Sequence, residues 1–170
     1  MSMQLLIRAA AALVGLAGRR LMRMDAAGDW NPRPGSGRTP ALYVHIPFCA
    51  APCDFCAFHR FAFREAPAWA YHAALRRELE LLFDAGFSFS EVYIGGGTPT
   101  ILPDELERLL ELLQCRQPDL PVSLETYPAD VTAELLDLLV RCRVERLSVG
   151  VQSFDARLLR ILGRDGLPPD

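Results

Sequence analysis

The chain has 170 residues, 51% of them hydrophobic, with 18 Lys and Arg against 21 Asp and Glu and a formal net charge of -3. That apolar content supports one substantial core and argues against a disordered middle. The slightly acidic balance, without any long basic run, excludes the electrostatic footprint of a nucleic-acid binder.

The chain opens on an apolar stretch, residues 4–18, interrupted by Arg8 and followed by Arg19 and Arg20. It is too short and too interrupted for a membrane span, and its charges follow the apolar run, the reverse of a signal peptide. We read it as a short amphipathic helix within an N-terminal extension and linker, residues 1–40. Gly28, Gly35, Gly37 and three prolines punctuate the linker part. No firm membrane association follows, and a cytoplasmic protein is expected.

Beyond the linker, short apolar strands alternate with helical patterns. Residues 42–46 make the first strand, ended by Pro47. A helix over 68–85 places His72, Leu75, Leu79 and Leu82 at three- or four-residue spacing and stops at Gly86. The second strand covers 91–94. Pro103 opens a second helix with Leu106, Leu109, Leu110 and Leu113 on its apolar side, and Pro118 and Pro121 bracket the turn into a third strand, 122–125. A third helix over 131–141 turns Leu135, Leu138 and Leu139 inward, with Thr132 as a local cap. A fourth strand, 146–151, and a short helix, 156–162, close the series.

Successive strand–helix units predict an α/β fold with parallel strands and helical crossovers, a partial (β/α) barrel or curved sheet. The chemically suggestive residues follow the C-terminal ends of these strands, where barrel enzymes build their sites. Four units leave a sheet edge open, so residues 41–166 are expected to form an incomplete core, with 167–170 as a terminal tail.

Cys49, Cys53 and Cys56 fall on one short loop, whereas Cys115 and Cys142 stand singly in Leu-rich segments and are read as small buried or half-buried side chains. An odd, clustered set is a poor disulfide framework. Three thiolates on one loop suit a soft metal centre. Spacing alone leaves three readings open: an iron–sulfur cluster with one open iron, a zinc site completed by His59 or His45, or free thiols. Gly95, Gly96 and Gly97 permit close backbone approach after the second strand, but match neither GxxxxGK[ST] nor GxGxxG.

Tyr43-Val44-His45-Ile46-Pro47-Phe48 leads into CxxxCxxC, followed by Gly95-Gly96-Gly97-Thr98-Pro99-Thr100 and then Gly150-Val151-Gln152-Ser153-Phe154. This ordered set resembles the radical S-adenosylmethionine (SAM) superfamily, and within it the oxygen-independent coproporphyrinogen III oxidase-like and heme chaperone-like proteins. The resemblance runs over residues 41–164. It implies a radical SAM (β/α) barrel of which four of the expected six strand–helix units are present. It also implies a [4Fe-4S] cluster on Cys49, Cys53 and Cys56, with SAM chelating the fourth iron. Reduction then cleaves SAM to methionine and a 5′-deoxyadenosyl radical, in porphyrin or heme metabolism. The implied partners are a reductant such as flavodoxin or ferredoxin and a porphyrin or heme, as ligand or substrate.

The same resemblance sets Tyr43, Gly95, Gly96, Gly97, Thr98, Glu125 and Gln152 around SAM, with the glycines beside its amino group and Glu125 as the acidic contact. Phe55 is implied to pack over the cluster, and no residue is assigned as acid or base. Two departures bear on the branch. Phe58 stands where coproporphyrinogen oxidases carry a further cysteine, and Gly163-Arg164 is followed by Asp165-Gly166 in place of a histidine. Phe58 turns the expectation toward the heme chaperone or anaerobic heme-utilisation branch; a chaperone without net turnover, or an inactive truncated fragment, stands as the alternative to an enzyme.

Overall fold

The computed structural model describes residues 33–53 and 55–164. The apolar segment at 4–18 and the tail at 167–170 lie outside them. In chain order the elements are β1 (Leu42–Ile46), β2 (Phe48–Cys49), β3 (Phe61–Ala62), α1 (Glu65–Asp84), β4 (Val92–Gly96), α2 (Pro103–Arg116), β5 (Val122–Thr126), α3 (Ala133–Arg141), β6 (Val144–Val149) and α4 (Ala156–Ile161). Single 3-10 turns at Pro99–Ile101 and Pro128–Asp130 follow β4 and β5. Strands β1, β4, β5 and β6 form one parallel sheet in that order, the arrangement expected of a partial (β/α) barrel.

Alternation along the strands decides which side packs and which carries polar groups. Val44, Ile46, Val92, Ile94, Val122 and Leu124 are buried and join one core with the leucines of the helices. In α2, Leu106, Leu109, Leu110 and Leu113 are completely enclosed, each worth about 1.5–3 kcal/mol of burial. Tyr43, His45, Tyr93, Glu125, Arg146 and Ser148 alternate with these residues and occupy the opposite face.

Local chemistry sets the boundaries. Helix α1 begins at Glu65, three residues before the expected start, because Pro67 falls in its first turn, where its missing N–H has no intrahelical partner to lose. Gly86, at φ 86°, ends it as expected. Thr132 caps α3 by accepting from the Leu135 N–H at 3.2 Å. Strand β6 begins at Val144 and stops at Val149, earlier at both ends than the sequence suggested, and a register shift against β5 accommodates its start. Cys142 is buried, but Cys115 is exposed, contrary to the sequence reading.

His72 is completely buried between α1 and the rest of the core, and neither ring nitrogen has a partner among the described residues. Burial holds its pKa below the usual histidine value, opposed by Glu105 and aided by Arg76. Glu105 of α2 is also buried; burial pushes its pKa up, but Arg76 and Arg108 outweigh this and hold it low. In both cases the native state binds fewer protons than the unfolded chain, so each contribution to stability is present at higher pH and lost on acidification. Urea midpoints are expected to fall below about pH 6.5 as the unfolded-state histidine gains its proton, and further below about pH 4.3. His72→Leu should remove the first decline; a variant with the parental pH profile would contradict the assignment.

Candidate functional site

The cysteine loop is built from both ends. The parallel pair β2 and β3 closes its base, with the Phe61 N–H donating to the Pro47 carbonyl at 2.7 Å and the Phe63 N–H to the Cys49 carbonyl at 2.8 Å. His45 ties the loop to β1: Nε2 donates to the His59 carbonyl at 2.8 Å, while Nδ1 pairs with the Tyr43 hydroxyl at 3.0 Å. The carbonyl partner calls for a proton on Nε2. Arg60 reaches back across the loop to the Cys53 carbonyl. Both His45 nitrogens are engaged, and the His59 ring lies edge-on to Phe61 at 4.9 Å.

The glycine loop is sewn onto the approach to Cys49. The Gly97 N–H donates to the Ile46 carbonyl at 2.8 Å, and the Thr98 N–H to the Phe48 carbonyl at 2.7 Å. Gly96 sits at φ 122°, a conformation side chains rarely adopt, and a Cβ there would meet the His45 ring at 2.8 Å. At Gly97 a Cβ would lie 2.6 Å from the Phe48 carbonyl oxygen and 2.9 Å from Cys49 Sγ. Gly95 leaves room for the Glu125 carboxylate.

Glu125 accepts from the Tyr93 hydroxyl at 2.7 Å and from the Gly96 N–H at 3.2 Å, so β4 and β5 together aim it. Buried Thr100 contacts Asp130 Oδ2 at 2.7 Å and the Thr126 hydroxyl at 2.8 Å. A carboxylate only accepts, so Thr100 donates to Asp130 and Thr126 donates to Thr100. This chain buckles the glycine loop to the end of β5.

A cavity of about 450 Å³ opens where these loops meet. All three loop cysteines line it, as do Gly96, Gly97 and Thr98 from the glycine loop. Glu125 and Gln152 line the other side. Gln152 is held at φ 70°, a strained backbone for a residue with a side chain. Of the residues the sequence singled out, Tyr43 and Gly95 stay off the lining. Tyr43 stacks on Tyr93 at 6.1 Å and reaches the site through it; burial and then the Glu125 charge raise its pKa. Phe55 lines the cavity and is 44% exposed. Sequence reasoning missed Arg60, Asp130 and the lining role of Arg164, whose guanidinium lies 4.6 Å from the Tyr127 ring and 5.8 Å from that of Phe55. Nothing in their local sequence marks them out.

The donor set fits an iron–sulfur cluster. Its cysteines are unpaired thiols facing one space, with glycines keeping the wall beside Cys49 clear. Among the described residues no three His, Cys, Asp or Glu converge as a ready-made site for one ion. Each thiolate of a four-iron cluster meets a different iron, so the three need not converge on one point. Burial raises the Cys49 pKa, with Thr98 pulling it down, Cys53 and Cys56 adding to the rise and Arg60 lowering it.

The family model of the radical SAM superfamily matches residues 43–169. Oxygen-independent coproporphyrinogen III oxidase of Cereibacter sphaeroides is 37% identical over 145 residues, 81% of this chain and 32% of that protein. Heme chaperone HemW of Bacillus subtilis is 36% identical over 131 residues, 73% of this chain and 35% of that one. The solved structure of coproporphyrinogen III oxidase (HemN) from Escherichia coli superposes with a TM-score of 0.67 at 34% identity, covering 78% of this chain and 32% of that chain. The chain thus spans about a third of the length of the curated relatives it matches. By the family match and the shared fold, the chain belongs to the radical SAM superfamily and is related to the coproporphyrinogen III oxidase and HemW proteins.

Proposed function

We propose that this chain carries the cluster- and SAM-binding part of a coproporphyrinogen oxidase-like radical SAM protein acting in porphyrin or heme metabolism. The single observation that carries the reading is that Cys49, Cys53 and Cys56 share one cavity with the glycine loop, Glu125 and Gln152. When bound, the cluster and SAM supply one-electron reductive cleavage of SAM, with flavodoxin or ferredoxin as the reductant. The chain's residues do the holding: three thiolates for iron, the Gly96–Thr98 backbone and Glu125 for the polar groups of SAM, and Gln152 across from them. Glu125 is suited to an ammonium or to ribose hydroxyls because the Tyr93 and Gly96 donors fix both of its oxygens.

A second reading, a heme chaperone without net turnover, is favoured by Phe58. It lines the cavity and is 72% exposed, an apolar surface in place of a further thiol. The two separate in one anaerobic experiment on the reconstituted chain, supplied with dithionite, SAM and a tetrapyrrole. Formation of 5′-deoxyadenosine coupled to a changed tetrapyrrole supports the enzyme. Stoichiometric heme binding without 5′-deoxyadenosine supports the chaperone, and the absence of both sinks the proposal.

A further inference from the structure

Arg60 immediately precedes β3, at the far end of the cysteine loop, and its side chain lines the cavity. A terminal nitrogen donates to the Cys53 carbonyl, bracing the loop from one side to the other. Its Nε is buried and has no hydrogen-bond partner among the described residues. A permanently charged group with a spare buried donor is costly unless an anion meets it. The cavity that Arg60 lines holds the three cysteines of its own loop, with the carboxylates of Glu125 and Asp130 also on the lining.

We propose that Arg60 is the positioning residue of the cysteine loop, bracing it through the Cys53 carbonyl and setting a fixed positive charge against the three thiolates and the cluster they hold. The inference rests on the cluster reading above and extends it to a residue outside every motif. Cluster potentials are set by net charge, hydrogen bonds to sulfur and solvent exposure, so removing an adjacent cation lowers the potential. Lysine keeps the charge but loses the planar fork that serves the carbonyl and the cavity together.

The test compares the unmodified chain with R60Q and R60K after anaerobic reconstitution, reading apo-chain melting, iron retained against a chelator and cluster midpoint potential. R60Q is expected to melt as the parent does, to hold its iron about 10–100-fold more weakly and to show a more negative potential. R60K should restore more of the potential than of the retention. Parental retention and potential in R60Q would overturn the inference while leaving the cluster reading intact; a parent chain that takes up no cluster overturns both. If apo R60Q does not melt cooperatively, R60K decides, and retention equal to the parent's overturns the brace.

Discussion

Replacing Cys49, Cys53 or Cys56 with serine is expected to abolish cluster loading and SAM cleavage in all three variants. A hydroxyl is a hard ligand that stays protonated near neutral pH, so each substitution removes one of only three protein attachments. Their side effects should differ. Cys49 is 8% exposed within β2, and a hydroxyl there costs about 1–3 kcal/mol if it finds no partner. Cys53 and Cys56 lie on the loop, so their variants should keep the parental urea midpoint. Exposed Cys115 is the control, and C115S should load iron like the parent. Iron and acid-labile sulfide assays decide the matter, and parental loading in any of the three loop variants would contradict the ligand assignment.

Gly97→Ala should be nearly as damaging, although it removes no functional group. The added carbon would sit 2.6 Å from the Phe48 carbonyl oxygen, and the neighbouring Thr98 N–H is bonded to that same carbonyl. The nearest wall is backbone and not a flexible side-chain tip, so backbone must move. Overpacking of this kind costs about 1–3 kcal/mol. The displaced wall carries Cys49, and a misplacement of about 1 Å at a reacting centre costs about 100-fold in rate. Gly37→Ala, with nothing within 4 Å of the added carbon, is the matched control and should be neutral. Urea denaturation and SAM-cleavage rates measure both effects; G97A with parental values in each would show that the glycine loop does not set the cysteine wall.

The parallel sheet and its helices were legible because leucine spacing, punctuating prolines and Gly86 agreed about where each unit starts and stops. Strands β2 and β3 were not, since two-residue strands have no period to detect. Their existence depends on a pairing between segments twelve residues apart. The glycine loop was visible as composition, but its reasons, the His45 ring against Gly96 and the Phe48 carbonyl against Gly97, are tertiary. Tyr43 shows the reverse limit. Its place in a motif set it near SAM, and the fold puts it on the polar face of the sheet, stacked on Tyr93 and off the cavity lining. Arg60 and Arg164 reach the cavity from segments with no shared spacing, so only the fold brings them to one site.

On the proposed reading, three thiolates hold a four-iron cluster whose remaining iron takes SAM. The most direct measurement is electron paramagnetic resonance of the dithionite-reduced, anaerobically reconstituted chain, recorded with and without SAM alongside iron analysis. About four irons per chain and a reduced-cluster signal that changes when SAM is added are expected. A fully loaded cluster whose signal is indifferent to SAM, or a chain that takes up zinc and forms no cluster, would contradict that reading.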